Sequence, residues 1–251
     1  MNYLLAALVA VATSLATAGG VPAHCTGCSF AGLDLHGADL TNVAYAGVNF
    51  SHANLRDADM RGARLAGVDF RLADLRGVNF TAAKLAGVDL AQTQLSRATF
   101  TGATLAGVNL RGVFNGLRDV DARGLLHNCA GCDAQGAEIA GFDLSGVSIV
   151  GGDFREVRAR RVRFFGADLE GVDFVQADLR SADLRDARLC SRNSDDPTVQ
   201  CINLRGADVR GADFRGALLC EGGRERRNCT PVDAATLRAR SGSNLAGATL
   251  P

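Results

Sequence analysis

Eight cysteines in four close pairs are the residues of this 251-residue chain best placed to do chemistry. Cys25 with Cys28, and Cys129 with Cys132, are Cys-x-x-Cys pairs, a spacing that serves a structural disulfide, a redox-active dithiol or half of a metal site. Redox work needs an exposed thiol of lowered pKa, usually at a helix N-terminus. A metal site would draw further ligands from His24 and His127, which lie beside the pairs. The other pairs are spaced differently: ten residues, Ser191 to Gln200, separate Cys190 from Cys201, and eight separate Cys220 from Cys229. Those spacings fit disulfides that pinch the bases of two loops. An even count of closely paired cysteines is what an oxidising compartment permits, so structural disulfides are the first expectation, with thiol exchange and metal handling as the competing class. His36 and His52 complete the histidines, and the chain holds no phosphate-cradling G-x-x-x-x-G-K-[ST] loop and no Ser-His-Asp arrangement that can be placed. No catalytic residue, metal ligand, cofactor or small-molecule substrate is therefore assigned.

The elements that must hold these cysteines are written in fives. From Phe30 through Leu110 every fifth residue is bulky and apolar, and the position two before it is usually Ala or Val. A second run, shifted by one in frame, goes from Ala134 to Leu189 and resumes from Leu204 to Leu219. Five matches neither the helical period nor the strand period, so the signal is one of repeat architecture. A slower period of 20 residues also shows: Ala46-Gly47-Val48-Asn49-Phe50 recurs at Ala66, Ala86 and Ala106. Four pentads then make one turn of a square coil, with Gly at corners and successive coils paired as parallel strands about 4.8 Å apart. In this register Cys25 and Cys129 take the bulky inward site and Cys28 and Cys132 the small one, like opening caps of two runs. With the insert 191–200 removed, Cys190 and Cys201 meet at one corner.

The triplets Ala38-Asp39-Leu40, Ala53-Asn54-Leu55, Ala73-Asp74-Leu75, Ala167-Asp168-Leu169 and Ala182-Asp183-Leu184 resemble the A(D/N)LXX motif of the pentapeptide-repeat family, over roughly residues 30 to 219. The resemblance implies an all-β fold, a right-handed quadrilateral parallel β-helix. It says little about activity, since members with known roles differ widely. Some are intracellular proteins proposed to imitate DNA and engage type II topoisomerases. Such mimicry needs a strongly acidic rod, and here 27 basic and 27 acidic residues cancel.

Outside the repeats, Leu4 to Val11 is continuously apolar and is followed by Ala16-Thr17-Ala18, which reads as a signal peptide over 1–18 cleaved near Ala18 and sends the chain to the periplasm or the medium. No transmembrane segment is expected in the mature chain. A first stack of coils then covers 19–111, an irregular joint 112–133, and a second stack 134–219 with its inserted loop at 191–200. A loop and cap fill 220–251, where Thr230-Pro231-Val232-Asp233 opens either a short helix running to about Arg240 or further coil sides, the helix being preferred. The two stacks read as coaxial or slightly bent coils more than as independent domains.

Two surface features stand out. Arg155, Arg158, Arg160, Arg161 and Arg163 form one dense basic cluster, suited to an anionic ligand such as an envelope polymer, or to a solvated face neutralised by neighbouring acids. Nucleic acid is a disfavoured ligand for it. The column Ala46, Ala66, Ala86 and Ala106, flanked by glycines, forms a smooth strip open to a partner or a second copy, or simply one that allows tight turns. The functional expectation is a non-catalytic exported scaffold or protein-interaction module whose partner is an unknown protein or envelope component.

Overall fold

The computed structural model describes residues 21–192, 199–221, 229–242 and 245–251. The segment read as a signal peptide and the interiors of both cysteine-bracketed loops lie outside the described residues. The chain divides into two compact units, Met1–Leu117 and Arg118–Pro251.

Both units are β-solenoid coils built from the pentads, as the square-coil reading requires. Phe50, Phe70, Leu90 and Leu110 are all fully buried, and so are Leu55, Leu75 and Phe80 on other sides of the coil. The small residues two before them, such as Val48, Ala53 and Val68, are also inside. Where coils follow without an insert, the backbone N–H of an inward residue donates to the carbonyl 19 residues ahead, as in Phe30 to Asn49 and Leu35 to Asn54, both at 2.7 Å. Each coil thereby satisfies its amides on the next, which lets an apolar axis be continuous. Phe30, Phe50 and Phe70 stack down that axis with centroids 5.1 and 5.2 Å apart, about one strand spacing.

In the first unit one side of every coil is a regular strand: β1 (His24–Thr26), β2 (Ala44–Ala46), β3 (Arg64–Ala66), β4 (Lys84–Ala86) and β5 (Thr104–Ala106). They pair in parallel with Ala46, Ala66, Ala86 and Ala106 in register. Corners need a left-handed residue, which Gly supplies without steric cost. Non-glycine residues also take it, among them Asp57 at φ 57° and Leu72 at φ 60°. Where a side chain sits on such a corner, the next coil tends to place Gly beneath it: a Cβ at Gly62 would meet Asn42 Oδ1, one at Gly77 would meet Asp57 Oδ1, and one at Gly216 would meet Asp186 Oδ1.

The second unit opens with α1 (Asp119–Leu126), a helix within the span expected to be irregular. Ala122, Leu125 and Leu126 anchor it in the core. After β6 (Cys129–Ala130) the coils resume, down to β7 (Arg188–Arg192). There β8 (Val199–Cys201) returns antiparallel to β7 with Cys190 opposite Cys201, and β10 (Cys229–Pro231) returns on β9 (Leu218–Glu221) with Cys229 opposite Cys220. The last inward residue of the frame departs from expectation. Leu219 is only half-buried while Cys220 is fully buried, because the β7–β9 register shifts and pairs Cys190, not Leu189, with Leu219.

The chain ends on α2 (Ala234–Ser241), capped by Asp233, whose carboxylate accepts from the Thr236 N–H at 2.7 Å, and closed by Gly242 at φ 69°. The preferred short helix is thus present, with Leu237 buried. Ser241, Gly247 and Thr249 supply carbonyls to the N–H groups of Leu204, Gly211 and Phe214, covering an edge that would otherwise stand open.

Candidate interaction surface

A coil filled to its axis leaves only outward positions to do chemistry. On either side of each inward residue stands an outward one, at i−1 and i+1, and these repeat along the coils as columns. Most i−1 positions are Asp or Asn, and the side-chain oxygen accepts the N–H two residues on, as in Asp39 to Thr41 and Asn49 to Ser51. These carboxylates and amides serve the turn.

The same two columns produce a pairing that sequence reading passed over. Wherever the pentad reads Asp-x-Arg, the i+1 guanidinium folds back on the i−1 carboxylate: Asp69 with Arg71 at 2.7 Å, Asp183 with Arg185 at 2.8 Å, Asp208 with Arg210 and Asp213 with Arg215 at 2.6 Å. Asp74 with Arg76 is a further instance. The spacing was visible, because i−1 and i+1 point to the same side. The hydrogen bonds from arginine are the first cause holding Asp69, Asp74, Asp183, Asp208 and Asp213 below the usual carboxylate range.

The basic cluster lies within this neutralised surface. Arg155 is bound to Asp153, Arg158 reaches Glu138 at 3.6 Å, Arg160 binds Asp178 at 2.5 Å, and Arg163 reaches Asp143 at 3.6 Å. Arg161 occupies a corner at φ 55°. The five arginines are spread over three sides and a corner and do not converge on one point. A groove of about 510 Å³ runs past Arg158 and Arg160, but Glu138, Glu156 and Asp178 line it too. It carries both signs, and its arginines already hold carboxylates.

All four cysteine pairs stand as disulfides: Cys25 with Cys28, Cys129 with Cys132, Cys190 with Cys201 and Cys220 with Cys229. In the loop pairs the Cα atoms are 3.9 and 4.0 Å apart across antiparallel strands. Cys129 and Cys132 are fully buried, whereas Cys25 and Cys28 are half-buried. Among the described residues no group of three or more His, Cys, Asp or Glu is placed to hold a metal ion. No helix among them is long and apolar enough to cross a membrane.

The alanine strip is different in kind. Ala46, Ala66, Ala86 and Ala106 are exposed on adjacent strands. Beside them Gly47, Gly67, Gly87 and Gly107 have nothing within 4 Å of where a Cβ would stand. The other outward column of these strands, missed in the sequence, is His24, Ala44, Arg64, Lys84 and Thr104. It contains no Asp or Asn, unlike the columns on the other three sides of this unit.

The family model for pentapeptide repeats matches eight copies in the chain, at residues 46–81, 73–112 and 160–191. No curated protein sequence matches it. Among solved structures, HetL, a pentapeptide repeat protein involved in heterocyst differentiation regulation from the cyanobacterium Nostoc sp. strain PCC 7120, is 26% identical, with 82% of this chain and 90% of that one covered and a TM-score of 0.38. A pentapeptide repeat protein from the Arabidopsis thaliana thylakoid lumen is 31% identical over 45% of this chain and 86% of its own, with a TM-score of 0.32. QnrB1, a plasmid-mediated fluoroquinolone resistance protein, is 18% identical over 78% and 82%, with a TM-score of 0.29.

Proposed function

This chain belongs to the pentapeptide-repeat family, whose members are in general interaction scaffolds, and from that premise we propose that it is an exported, non-catalytic scaffold that displays fixed outward columns to a protein or envelope partner. The observation that carries this reading is the filled axis. With Phe, Leu, Val and Ala buried on every side of the coil, the interior is filled and recognition falls to the outward ladders. Backbone ladders between coils hold those columns at a fixed spacing.

Export is supported by the four disulfides, which persist in oxidising compartments, together with the apolar start of the sequence and Ala16-Thr17-Ala18. Burial of Cys129 and Cys132 supports staples over thiol exchange, which requires an accessible sulfur.

The test is to express the full chain with a C-terminal tag and analyse the exported form. Expected are a mature N-terminus near residue 19, no titratable thiol without reductant, no bound metal, and specific crosslinking to an envelope component. Cytoplasmic retention with reactive thiols would overturn export. A chain that captures nothing, yet turns over a dithiol or disulfide substrate, would overturn the scaffold reading.

A further inference from the structure

We propose that the outer face of β1 to β5 docks a short acidic segment of a partner protein, an inference that rests on the scaffold reading and names its surface. Arg64 and Lys84 are exposed and stand directly opposite each other on β3 and β4. Like charges so placed, about 4.8 Å apart, destabilise a sheet. Elsewhere in this unit Arg61, Arg71 and Arg76 each hold a carboxylate. Here the five strands contribute no Asp or Glu, and His24 is the only other titratable group among their outward residues. An incoming carboxylate set between Arg64 and Lys84 removes the repulsion that the fold leaves in place.

The rest of the face fits the same ligand. The exposed alanines and open glycines form a flat shelf beside the cations, so a peptide backbone approaches without meeting a side chain. Its size selects the occupant. Five strands of three residues span about 19 Å by about 10 Å, roughly 200 Å², far short of the roughly 800 Å² per partner that a stable folded interface buries. A second copy of the chain is therefore a poor fit, and an extended peptide of about six residues a good one. Two cations and a single ring, the His24 imidazole, among the outward residues of these strands are also too few for nucleic acid, which is held by many phosphate contacts or by stacking.

The experiment is fluorescence anisotropy of a labelled alternating glutamate–alanine octapeptide against the purified, oxidised full chain. Expected is saturable binding that weakens with added salt. It should fall at least tenfold in the Arg64→Glu/Lys84→Glu variant, while Arg97→Glu, an exposed cation away from these strands, leaves it unchanged. Ala66→Gln/Ala86→Gln, which crowds the shelf without altering charge, should weaken it severalfold. Thermal midpoints verify folding, and Arg64→Ala/Lys84→Ala replaces the charge reversal if that variant unfolds. Equal binding by the charge-reversed or charge-removed variant, an equal loss in Arg97→Glu, indifference to the shelf substitutions, or preference for an oligonucleotide over the peptide would each overturn the proposal. Failure here with envelope crosslinking retained refutes the face and leaves the scaffold standing; loss of both refutes both.

Discussion

Phe164 and Phe165 are neighbours in the chain, and the pentad frame sends them to opposite fates. Phe164 is fully buried and packs on Phe174 with ring centroids 5.9 Å apart. Phe165 is 42% exposed and lies under the Arg185 guanidinium, 5.8 Å from its ring centroid. Truncating Phe164 to alanine leaves a cavity in a coil that neighbours cannot readily fill, at a cost of roughly 3 to 5 kcal/mol. Truncating Phe165 forfeits a little over half of a phenyl's burial, together with an exposed cation–π contact, about 1 to 2 kcal/mol altogether. With a urea slope of about 2 kcal/mol per molar, the midpoint of the transition falls by about 2 M in Phe164→Ala and by less than about 1 M in Phe165→Ala. Circular dichroism on oxidised protein reads both. A slip of one residue would exchange the two side chains, so equal shifts, or the larger one in Phe165→Ala, refutes the register from which every surface column was built.

Acidification should lower the thermal midpoint through the Asp-x-Arg pairs. Asp69, Asp74, Asp183 and Asp213 have folded pKa values held below the ordinary one, first by hydrogen bonds from arginine, so their contribution is present above about pH 4 and is lost as pH falls through the folded values. Asp213→Asn should flatten that acid limb; an unchanged limb would show the pair to be ornamental, as exposed pairs often are. Burial pushes Tyr45 up to about 12, and its hydroxyl donates to the Pro22 carbonyl at 2.8 Å. Tyrosinate absorbance of the mature protein should therefore lack a step near pH 10, since Tyr3 would leave with the first 18 residues; a normal step would mean that Tyr45 is wet. At the corners, Gly67→Ala should cost about 1 kcal/mol for its left-handed backbone alone. Gly77→Ala should cost more, because the new Cβ meets Asp57 Oδ1, and Asp57→Gly should restore the difference in a double-mutant cycle.

The axis was legible because each inward residue is fixed by its own pentad: a Leu or Phe five residues on from another has one place to go. The cysteine pairs followed from the same frame, Cys190 and Cys201 once the insert between them was discounted. The failures have physical causes. Helix α1 carries its apolar anchors Ala122, Leu125 and Leu126 in only eight residues, with Gly124 among them, too few to show a helical period beside a Gly that argues against one. Leu219 continues the count of five, yet the register shift opposite β7 puts Cys220 inside instead, and only the three-dimensional pairing decides that. The two readings of the basic cluster could not be separated in the sequence, because arginines close along the chain are dispersed by a coil that turns a corner every five residues, where Asp153, Glu138, Asp178 and Asp143 receive Arg155, Arg158, Arg160 and Arg163.

A solenoid therefore separates what the fold demands from what it leaves free. The inward positions and the corners are set by packing and backbone torsion, and the i−1 Asp or Asn is set by the turn it caps, so neither class reports on a partner. The informative columns are those where the turn-capping residue is missing and nothing structural replaces it. In the first unit that condition singles out His24, Ala44, Arg64, Lys84 and Thr104. Each of these sides is an extended strand, and their outward column carries Arg64 and Lys84 with no acidic residue beside them. Arg64 opposite Lys84 costs the sheet stability that Thr, Asn or Asp at either position would recover. A fold this regular has no need of that cost, and an acidic ligand is the chemistry that offsets it.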